Sequence, residues 1–306
     1  MKKDLISIND LTREEIGKIF KLTDEIKFNK KKFEKTLSGK TLGLLFQKPS
    51  NRTRVSFEVG MAQLGGHSIY LGPEDIKLGE REAVKDVAKV LSKYLDGIVA
   101  RTFSHNDIIE LAEFSSVPVI NGLSDLMHPC QALSDVYTIR EKSSKFKSIK
   151  LAYVGDGNNV LNSLIEIAGK MGLYISAATP KGYEPDKEIL NAANKNAKLS
   201  SAKIELLNDP YKAAEGADFI YTDVWTSMGK EHERKIRLEA FKGFQVNTNL
   251  ISRCKKDCLV MHCLPAHRQE EITNEILDSP NSIVFEQAEN RLYVQKAILI
   301  MLLLKE

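Results

Sequence analysis

The chain has 306 residues, of which 42% are apolar and 28% charged, and its 44 basic and 41 acidic side chains leave a formal net charge of +3. This composition is typical of a globular protein with a large core and about two domains. Because charges of both signs are interspersed, no basic stripe points to nucleic acid. The N-terminal residues lack the apolar core of a signal peptide, and the longest apolar run, AILIMLLL at 297–304, is too short to span a bilayer. We therefore expect neither a nucleic-acid nor a membrane partner.

The cysteines are too few for a disulfide framework in a chain of this size. They are Cys130, Cys254, Cys258 and Cys263. Since disulfides are rare in reducing compartments, this usage favours a cytoplasmic protein.

Helical and strand patterns alternate along the chain, which favours α/β architecture. Residues 11–29 predict a helix, 40–47 a buried strand, and 54–66 a helix closed by Gly65 and Gly66. The further predicted elements are strands at 96–101, 117–122, 149–156, 172–180, 217–225 and 257–265, and helices at 104–114 and 129–142. We predict two doubly wound parallel-sheet domains, divided in the polar stretch 143–148, with the C-terminal helix returning to the first domain.

A first candidate site lies in QKPSNRTRVSFE, residues 47–58, where a strand gives way to a helix capped by Ser50 or Asn51. The unpaired N–H groups of a first helical turn attract an anion. Lys48, Arg52 and Arg54 add positive charges, and guanidinium groups offer planar forks to phosphate oxygens. The pattern is equally compatible with a charged helix start that faces solvent.

A second candidate site lies in DLMHPCQALSD, residues 125–135. Pro129 suits the first position of a helix, which puts His128 at the positive end of the helix dipole. This position opposes protonation, so we expect a neutral imidazole that donates a hydrogen bond to a carbonyl oxygen, with Gln131 facing the same way. Taken alone, His128 is more typical of a packed or capping histidine.

In the second half, YVGDGNNVLNS at 153–163 has the strand, glycine turn and helix start of a dinucleotide site. However, Val160 replaces the third glycine, and no acidic residue ends the next strand, which argues against a dehydrogenase. In YTDVWTSMGKE at 221–231, Asp223 ends a parallel strand, where α/β sheets bind ligands, and it could hold an ammonium group. Trp225 beside it is more typical of packing.

MHCLPAHR, residues 261–268, concentrates reactive side chains. A zinc site would need Cys254, Cys258, His262 and Cys263, but their spacing does not match paired zinc ligands, so we expect no metal. A thiol nucleophile at Cys263 would need a basic partner, and His262 is poorly placed because adjacent strand residues point apart.

Four of these stretches, SNRTR, HPCQ, DVWTSMG and HCLP, in this order and at these separations, resemble the ornithine carbamoyltransferases over essentially the whole chain. The resemblance implies two α/β domains and a homotrimer. It implies transfer of the carbamoyl group of carbamoyl phosphate to the side-chain amine of L-ornithine, giving L-citrulline and phosphate, without a cofactor or metal. It also implies a carbamoyl-phosphate-binding domain at 1–142 and 290–306 and an ornithine-binding domain at 143–289.

The resemblance further implies roles for individual residues. The residues expected to bind carbamoyl phosphate are Ser50, Asn51, Arg52, Thr53, Arg101, His128, Gln131, Cys263, Leu264 and Arg291. Those expected to bind ornithine are Asn159, Asp223, Ser227 and Met228, and the catalytic set is Arg101, His128, Asp223 and Cys263. His128 would polarise the carbamoyl carbonyl, while Cys263 and Leu264 would line the junction of the two substrates.

Two positions are distinctive. The family most often has threonine where this chain has Asn51, and Lys77 aligns with a segment that reaches the neighbouring subunit's site. The related aspartate enzymes typically have proline at the position of Cys263 and lack the SMG loop. The acetylornithine and putrescine enzymes usually replace that loop. A catalytically silent scaffolding relative is the remaining alternative, although it has no physical need for buried arginines.

Overall fold

The computed structural model describes residues 4–143, 146–227, 229 and 231–304. The chain forms two compact units, Met1–Tyr137 with Glu289–Glu306, and Thr138–Ala288. Their boundary falls within a helix, five residues before the predicted limit at 142/143, and the return point lies one residue before the predicted 289/290. The predicted dividing stretch 143–148 includes residues 144 and 145, which lie outside the described residues.

The strands are β1 Thr41–Phe46, β2 His67–Leu71, β3 Gly97–Arg101, β4 Val119–Leu123, β5 Lys150–Val154, β6 Tyr174–Ala178, β7 Lys203–Leu207, β8 Phe219–Thr222 and β9 Leu259–His262. The α-helices are α1 Arg13–Phe28, α2 Asn51–Gln63, α3 Pro73–Ile76, α4 Val84–Leu91, α5 His105–Phe114, α6 Pro129–Lys142, α7 Asn159–Met171, α8 Lys187–Ser200, α9 Pro210–Ala214, α10 Arg234–Ala240, α11 Thr248–Ile251, α12 Asn274–Leu277 and α13 Val284–Leu303. Short 3-10 helices occupy Ile8–Asp10, Lys30–Phe33, Phe146–Ser148 and Glu231–Glu233.

The first unit contains a parallel sheet with the strand order β2-β1-β3-β4. Strands β1 and β3 are central and almost wholly buried, which explains their continuous apolar sequences. The strand order reverses between β1 and β3, so the loops that leave their carboxyl ends diverge there and form a crevice. Residues 47–50 and the segment after Arg101 therefore begin at the place where open α/β sheets bind ligands.

The second unit contains a parallel sheet with the order β7-β6-β5-β8-β9. Here the reversal lies between β5 and β8. The turn that begins at Gly155 and the segment that begins at Asp223 leave the sheet at this point. Parallel pairing of β8 with β9 puts Thr222 opposite His262, so Asp223 and Cys263 follow neighbouring strand ends.

Helix α13 ends in the first unit, where its apolar and basic side chains pack on the sheet and on α2. Lys296 Nζ donates to Gln63 Oε1 at 3.1 Å. Leu303 lies so close to Gly97 that a Cβ atom at position 97 would be 2.6 Å from Leu303 Cδ2. The predicted fold class, including the return of the last helix, is confirmed. No helix within the described residues is both long and apolar enough to cross a membrane.

Candidate active site

The loop after β1 leads into an open helix end. Ser50 is the N-cap of α2, and its Oγ accepts a hydrogen bond from Thr53 N at 3.3 Å. The structure thus selects Ser50 over Asn51 as the cap. Asn51 and Arg52 occupy the first turn, whose backbone N–H groups point out of the helix end and favour an anion.

Three guanidinium groups surround this helix end. Arg101 ends β3, is 8% exposed and lies opposite Phe46 of β1. Arg291 of α13 donates from Nη2 to Thr53 Oγ1 at 3.0 Å. Burial, together with the positive charges of Arg291 and Arg52, lowers the pKa of Arg101 to about 10. Like charges held together in a buried place are costly unless an anion joins them, so this cluster is built to bind one.

Arg101 also has a buried N–H group that can donate a hydrogen bond to a ligand. Its Nε atom is inaccessible to solvent and has no hydrogen-bond partner among the described residues. An unsatisfied buried donor costs about 1–3 kcal/mol, and a phosphate oxygen would remove that cost.

His128 faces the same positive cluster. It immediately precedes α6, and its carbonyl oxygen accepts from Gln131 N and Ala132 N at 3.1 and 3.2 Å. The side chain is buried, and its burial, followed by the charges of Arg291, Arg101 and Arg52, holds its pKa well below the usual value. The imidazole is therefore neutral at neutral pH, in agreement with the expectation from its place before Pro129.

Gln131 is oriented by its neighbour along the helix. Its Nε2 donates to Asp135 Oδ1 at 2.8 Å, while its buried Oε1 has no partner among the described residues. This arrangement leaves Gln131 with an acceptor oxygen, which matches a ligand that carries an N–H₂ group.

Two basic residues of the QKPSNRTR segment have other partners. Arg54 pairs with Glu58 at 3.0 Å and stacks on the Tyr70 ring at 3.7 Å, so its guanidinium is held along α2. The buried Lys48 lies 4.6 Å from the Phe103 ring centroid. Arg54 thus has partners on α2 and β2, and its contribution to the helix end stays a prediction.

Lys77 ends the short helix α3 with a φ of 41°. Its Nζ lies 3.7 Å from Glu74 on the surface.

In the second unit, the carboxylate of Asp223, at the end of β8, accepts hydrogen bonds from three donors. Its Oδ1 accepts from Val224 N at 2.8 Å and from Cys263 Sγ at 3.0 Å, and its Oδ2 accepts from Asn158 Nδ2 at 2.7 Å. The side chain is buried, with a carboxylate oriented from three sides. A positioned carboxylate of this kind can hold an ammonium or amine group.

Sequence reasoning missed Asn158. It named Asn159, which is the first residue of α7, whereas Asn158 is the N-cap that contacts Asp223 and accepts from Val160 N and Leu161 N. A signal was present, because asparagine directly before an apolar helical stretch is a strong cap pattern.

The loop that follows Asp223 is anchored at its start. Trp225 is buried and stacks on Phe241 at 5.6 Å, so it packs as expected. The carbonyl oxygen of Trp225 accepts from Arg237 Nη1 at 2.9 Å. Ser227 is half-buried, and Met228 lies outside the described residues.

Cys263 and Leu264 follow β9 directly. Leu264 has a φ of 57° and a cis peptide bond to Pro265. The ligand atoms of Asp223, His262 and Cys263 lie within 4.8 Å of one another, but both ring nitrogens of His262 already form hydrogen bonds.

The comparisons agree with this geometry. Residues 3–141 match the carbamoyl-P binding domain of the aspartate/ornithine carbamoyltransferases, and residues 147–302 match the Asp/Orn binding domain. The chain is 52% identical over 303 residues to an ornithine carbamoyltransferase of Pyrococcus horikoshii, covering 98% of this chain and 96% of the relative. It is 54% identical over 300 residues to that of Bacillus thuringiensis subsp. konkukian, covering 98% and 94%.

A solved structure, the ornithine carbamoyltransferase from Pyrococcus furiosus, has a TM-score of 0.94 and 52% identity, covering 97% of this chain and 96% of that one. The family indicated by the SNRTR, HPCQ, DVWTSMG and HCLP motifs is thereby confirmed. The chain belongs to the aspartate/ornithine carbamoyltransferase family.

Proposed function

We infer that this chain is an enzyme that transfers the carbamoyl group of carbamoyl phosphate to the side-chain amine of L-ornithine, giving L-citrulline and phosphate. The observation that carries the inference is the set of three guanidinium groups, Arg52, Arg101 and Arg291, around a neutral buried His128 at the open end of α2. Relatives at 52–54% identity over nearly the whole chain have the name of this activity. The alternatives of a scaffolding protein or a different amine have no such support.

We propose that the phosphate group of the substrate binds at the N-terminus of α2, cradled by Ser50, Asn51, Arg52 and Thr53, with Arg101 and Arg291. The leaving group is a phosphate dianion, so charge that builds up on its oxygens during bond cleavage is stabilised by these groups. The depressed pKa of Arg101 supports the assignment, since a bound dianion would offset the mutual repulsion of the arginines.

The carbamoyl group has one carbonyl acceptor and one N–H₂ donor, and the proposed site supplies the complement of each. A neutral His128 donates one hydrogen bond to the carbonyl oxygen and polarises it toward attack. The buried acceptor Oε1 of Gln131 suits the N–H₂ group. We also propose that Cys263 and Leu264 bind the carbamoyl group, as the family resemblance implies.

The attacking amine has to be deprotonated, although a free alkyl ammonium has a pKa of about 10. We propose that Asp223 and Cys263 orient the ornithine amine, with Asn159, Ser227 and Met228 as further ornithine contacts. The hydrogen bond from Cys263 Sγ to Asp223 and the Asn158 bond to the same carboxylate support this role, because they fix its direction. Orientation of an amine for attack on an activated carbonyl lowers the barrier of the transfer.

We also propose a homotrimer in the cytoplasm, with Lys77 reaching a neighbouring subunit's site. Val55 and Val59, one turn apart on α2, and Ile69 on β2 are exposed apolar side chains that suit a subunit interface. The described cysteines are all free thiols, which suits a reducing compartment.

The test mixes purified protein with carbamoyl phosphate and ornithine and measures citrulline and phosphate in the same samples. We expect equal amounts of both products, and no citrulline without protein. Phosphate release without citrulline would indicate hydrolysis only, and absence of both products would favour the scaffolding alternative.

A further inference from the structure

His262 and Glu271 form a fully buried polar pair beside the HCLP segment, and the roles proposed above do not use it. Both side chains are 0% exposed. His262 ends β9, and its backbone N donates to Gln287 Oε1 at 2.9 Å, which fixes the residue's main chain. His262 Nε2 and Glu271 Oε1 are 3.0 Å apart.

The hydrogen bonds determine which nitrogen of His262 carries its proton. Leu264 N lies 2.8 Å from Nδ1. A backbone N–H can only donate, so Nδ1 is the acceptor and has no proton. Nε2 therefore carries the hydrogen and donates to Glu271 Oε1. Loss of the Glu271 acceptor would remove one of the two interactions that select this tautomer and would leave the Nε2 hydrogen without its partner.

The tautomer matters because Leu264 adopts an uncommon backbone conformation. Its φ of 57° lies in the left-handed region, which a leucine enters only when its surroundings hold it there. The bond from Leu264 N to His262 Nδ1 is one such restraint. Cys263, between the two, directs its Sγ to Asp223 Oδ1 at 3.0 Å.

Glu271 acts on both ends of the same turn. Its Oε1 atom also accepts from His267 N at 2.6 Å. One carboxyl oxygen thus fixes the imidazole at the start of the 262–267 turn and the backbone at its end. Water cannot replace this oxygen without a rearrangement, since the side chain is inaccessible.

Packing alone gives a poor reason for a carboxyl group at this position. Burial of a carboxyl group is costly, and an apolar residue of similar volume usually stabilises a core at least as well. Glu271 Oε2 is buried without a hydrogen-bond partner among the described residues, which adds to that cost. In exchange for this cost, the two hydrogen bonds of Glu271 hold the 262–267 turn in one conformation.

We propose that Glu271, acting through His262, is a positioning residue that holds Cys263 and Leu264 in the conformation required for carbamoyl transfer. This inference rests on the proposed function for its kinetic consequence, but the structural consequence is independent of any activity. Neither Glu271 nor His262 touches the reacting atoms in this assignment.

The experiment compares Glu271→Ala with Glu271→Gln, which retains an acceptor oxygen for both donors. The control is Glu270→Gln. The adjacent Glu270 pairs with Arg234 and lies 3.8 Å from His267 Nδ1, but the two hydrogen bonds from His262 Nε2 and His267 N go to Glu271. Hydrogen exchange by mass spectrometry follows the peptide that contains Cys263 to His267. We expect Glu271→Ala to accelerate exchange there at least about tenfold, and Glu271→Gln and Glu270→Gln to remain close to wild type.

Kinetics give the second readout. We expect kcat to fall on the order of 10- to 100-fold in Glu271→Ala, because misplacement of a positioning group by about 1 Å can have that effect. Glu271→Gln should stay within about threefold of wild type even if its melting temperature falls, since its geometry is retained. Affinity for inorganic phosphate, measured by calorimetry, should not change in either variant.

Three outcomes would overturn the inference. The folded Glu271→Ala protein could exchange at the wild-type rate, or Glu270→Gln could lose as much kcat as Glu271→Ala. The third is that Glu271→Ala and Glu271→Gln change exchange and kcat to the same extent. If Glu271→Ala does not fold, His262→Asn and His262→Gln replace it. Asparagine puts its oxygen near the place of Nδ1 and should keep Leu264 protected, whereas glutamine should not. If the wild-type protein forms no citrulline, the proposed function is wrong, but the hydrogen-exchange test of Glu271 remains valid.

Discussion

Replacement of Arg101 by methionine should weaken anion binding without weakening the fold. Methionine retains much of the aliphatic length of arginine and removes the charge. Burial, followed by the charges of Arg291 and Arg52, lowers the pKa of Arg101 from its usual value to about 10. Neutral pH lies below both values, so the group is charged in the folded and unfolded states and its full cost applies. That cost is relieved only as pH rises through about 10.

The size of the effect follows from this shift. A difference of one in pKa corresponds to about 1.4 kcal/mol, so charged Arg101 destabilises the unliganded protein by about 3 kcal/mol. Charge-assisted hydrogen bonds contribute about 1.5–3 kcal/mol, so their loss should weaken phosphate binding roughly 10- to 150-fold. The same substitution therefore favours the unliganded fold and disfavours the complex.

Thermal unfolding with and without about 10 mM inorganic phosphate measures both effects, because a ligand that binds only the folded state raises the melting temperature. We expect the unliganded Arg101→Met variant to melt at the wild-type temperature or up to about 6 °C above it, at roughly 2 °C per kcal/mol. The phosphate-induced rise should be lost. Arg253→Met is the matched control, since this arginine lies over the Tyr211 ring of the second unit.

If the melting temperature of the unliganded Arg101→Met protein falls by several degrees, Arg101 is a structural residue. An undiminished phosphate effect would refute its assignment to the anion site.

Three further predictions concern the reaction. His128→Asn should lower kcat by about 10² to 10⁴, because the group that polarises the carbonyl is lost. Phosphate affinity, measured by calorimetry, should change little. A small effect on kcat would contradict this role. Asp223→Asn should raise the KM for ornithine at least about tenfold and leave that for carbamoyl phosphate unchanged, which initial rates at varied substrate would check. Because the pKa of His128 is held well below 6.5, kcat/KM should show no titration of this residue near that value and should rise through about pH 7 to 9 as the amine loses its proton. A pH-independent chemical step in pre-steady-state measurements would contradict the last of these.

The buried strands were predictable because their sequences are continuous and apolar, as in β1 and β5. The edge strands β2 and β7 were missed, since they are half-exposed and include residues such as His67 and Lys203 that interrupt the apolar pattern. The other two edge strands, β4 and β9, are almost wholly buried and were predicted, so it is the exposure of β2 and β7 that weakens their sequence signal.

Among the site residues, too, some could be predicted from the sequence and others could not. A helix N-terminus with a serine cap is a local feature, so the anion site around Ser50 could be predicted from neighbouring residues. The bond from Arg291 to Thr53 joins positions 238 residues apart, and no local pattern could predict it; the family resemblance implied only that both residues bind carbamoyl phosphate. His262 was discounted because adjacent strand residues point apart, yet its ring contacts the backbone of Leu264, two residues on.

The most direct test of the account is the amine selectivity of purified protein at saturating carbamoyl phosphate. Initial rates would be measured with ornithine, acetylornithine, putrescine, lysine and aspartate, and compared as kcat/KM. We predict that kcat/KM for ornithine exceeds that for each of the other amines by at least about 100-fold, as expected when a site forms buried polar contacts with its own substrate. Preference for another amine would contradict the ornithine assignment of Asp223 and its loop, while leaving the phosphate site around Arg101 intact.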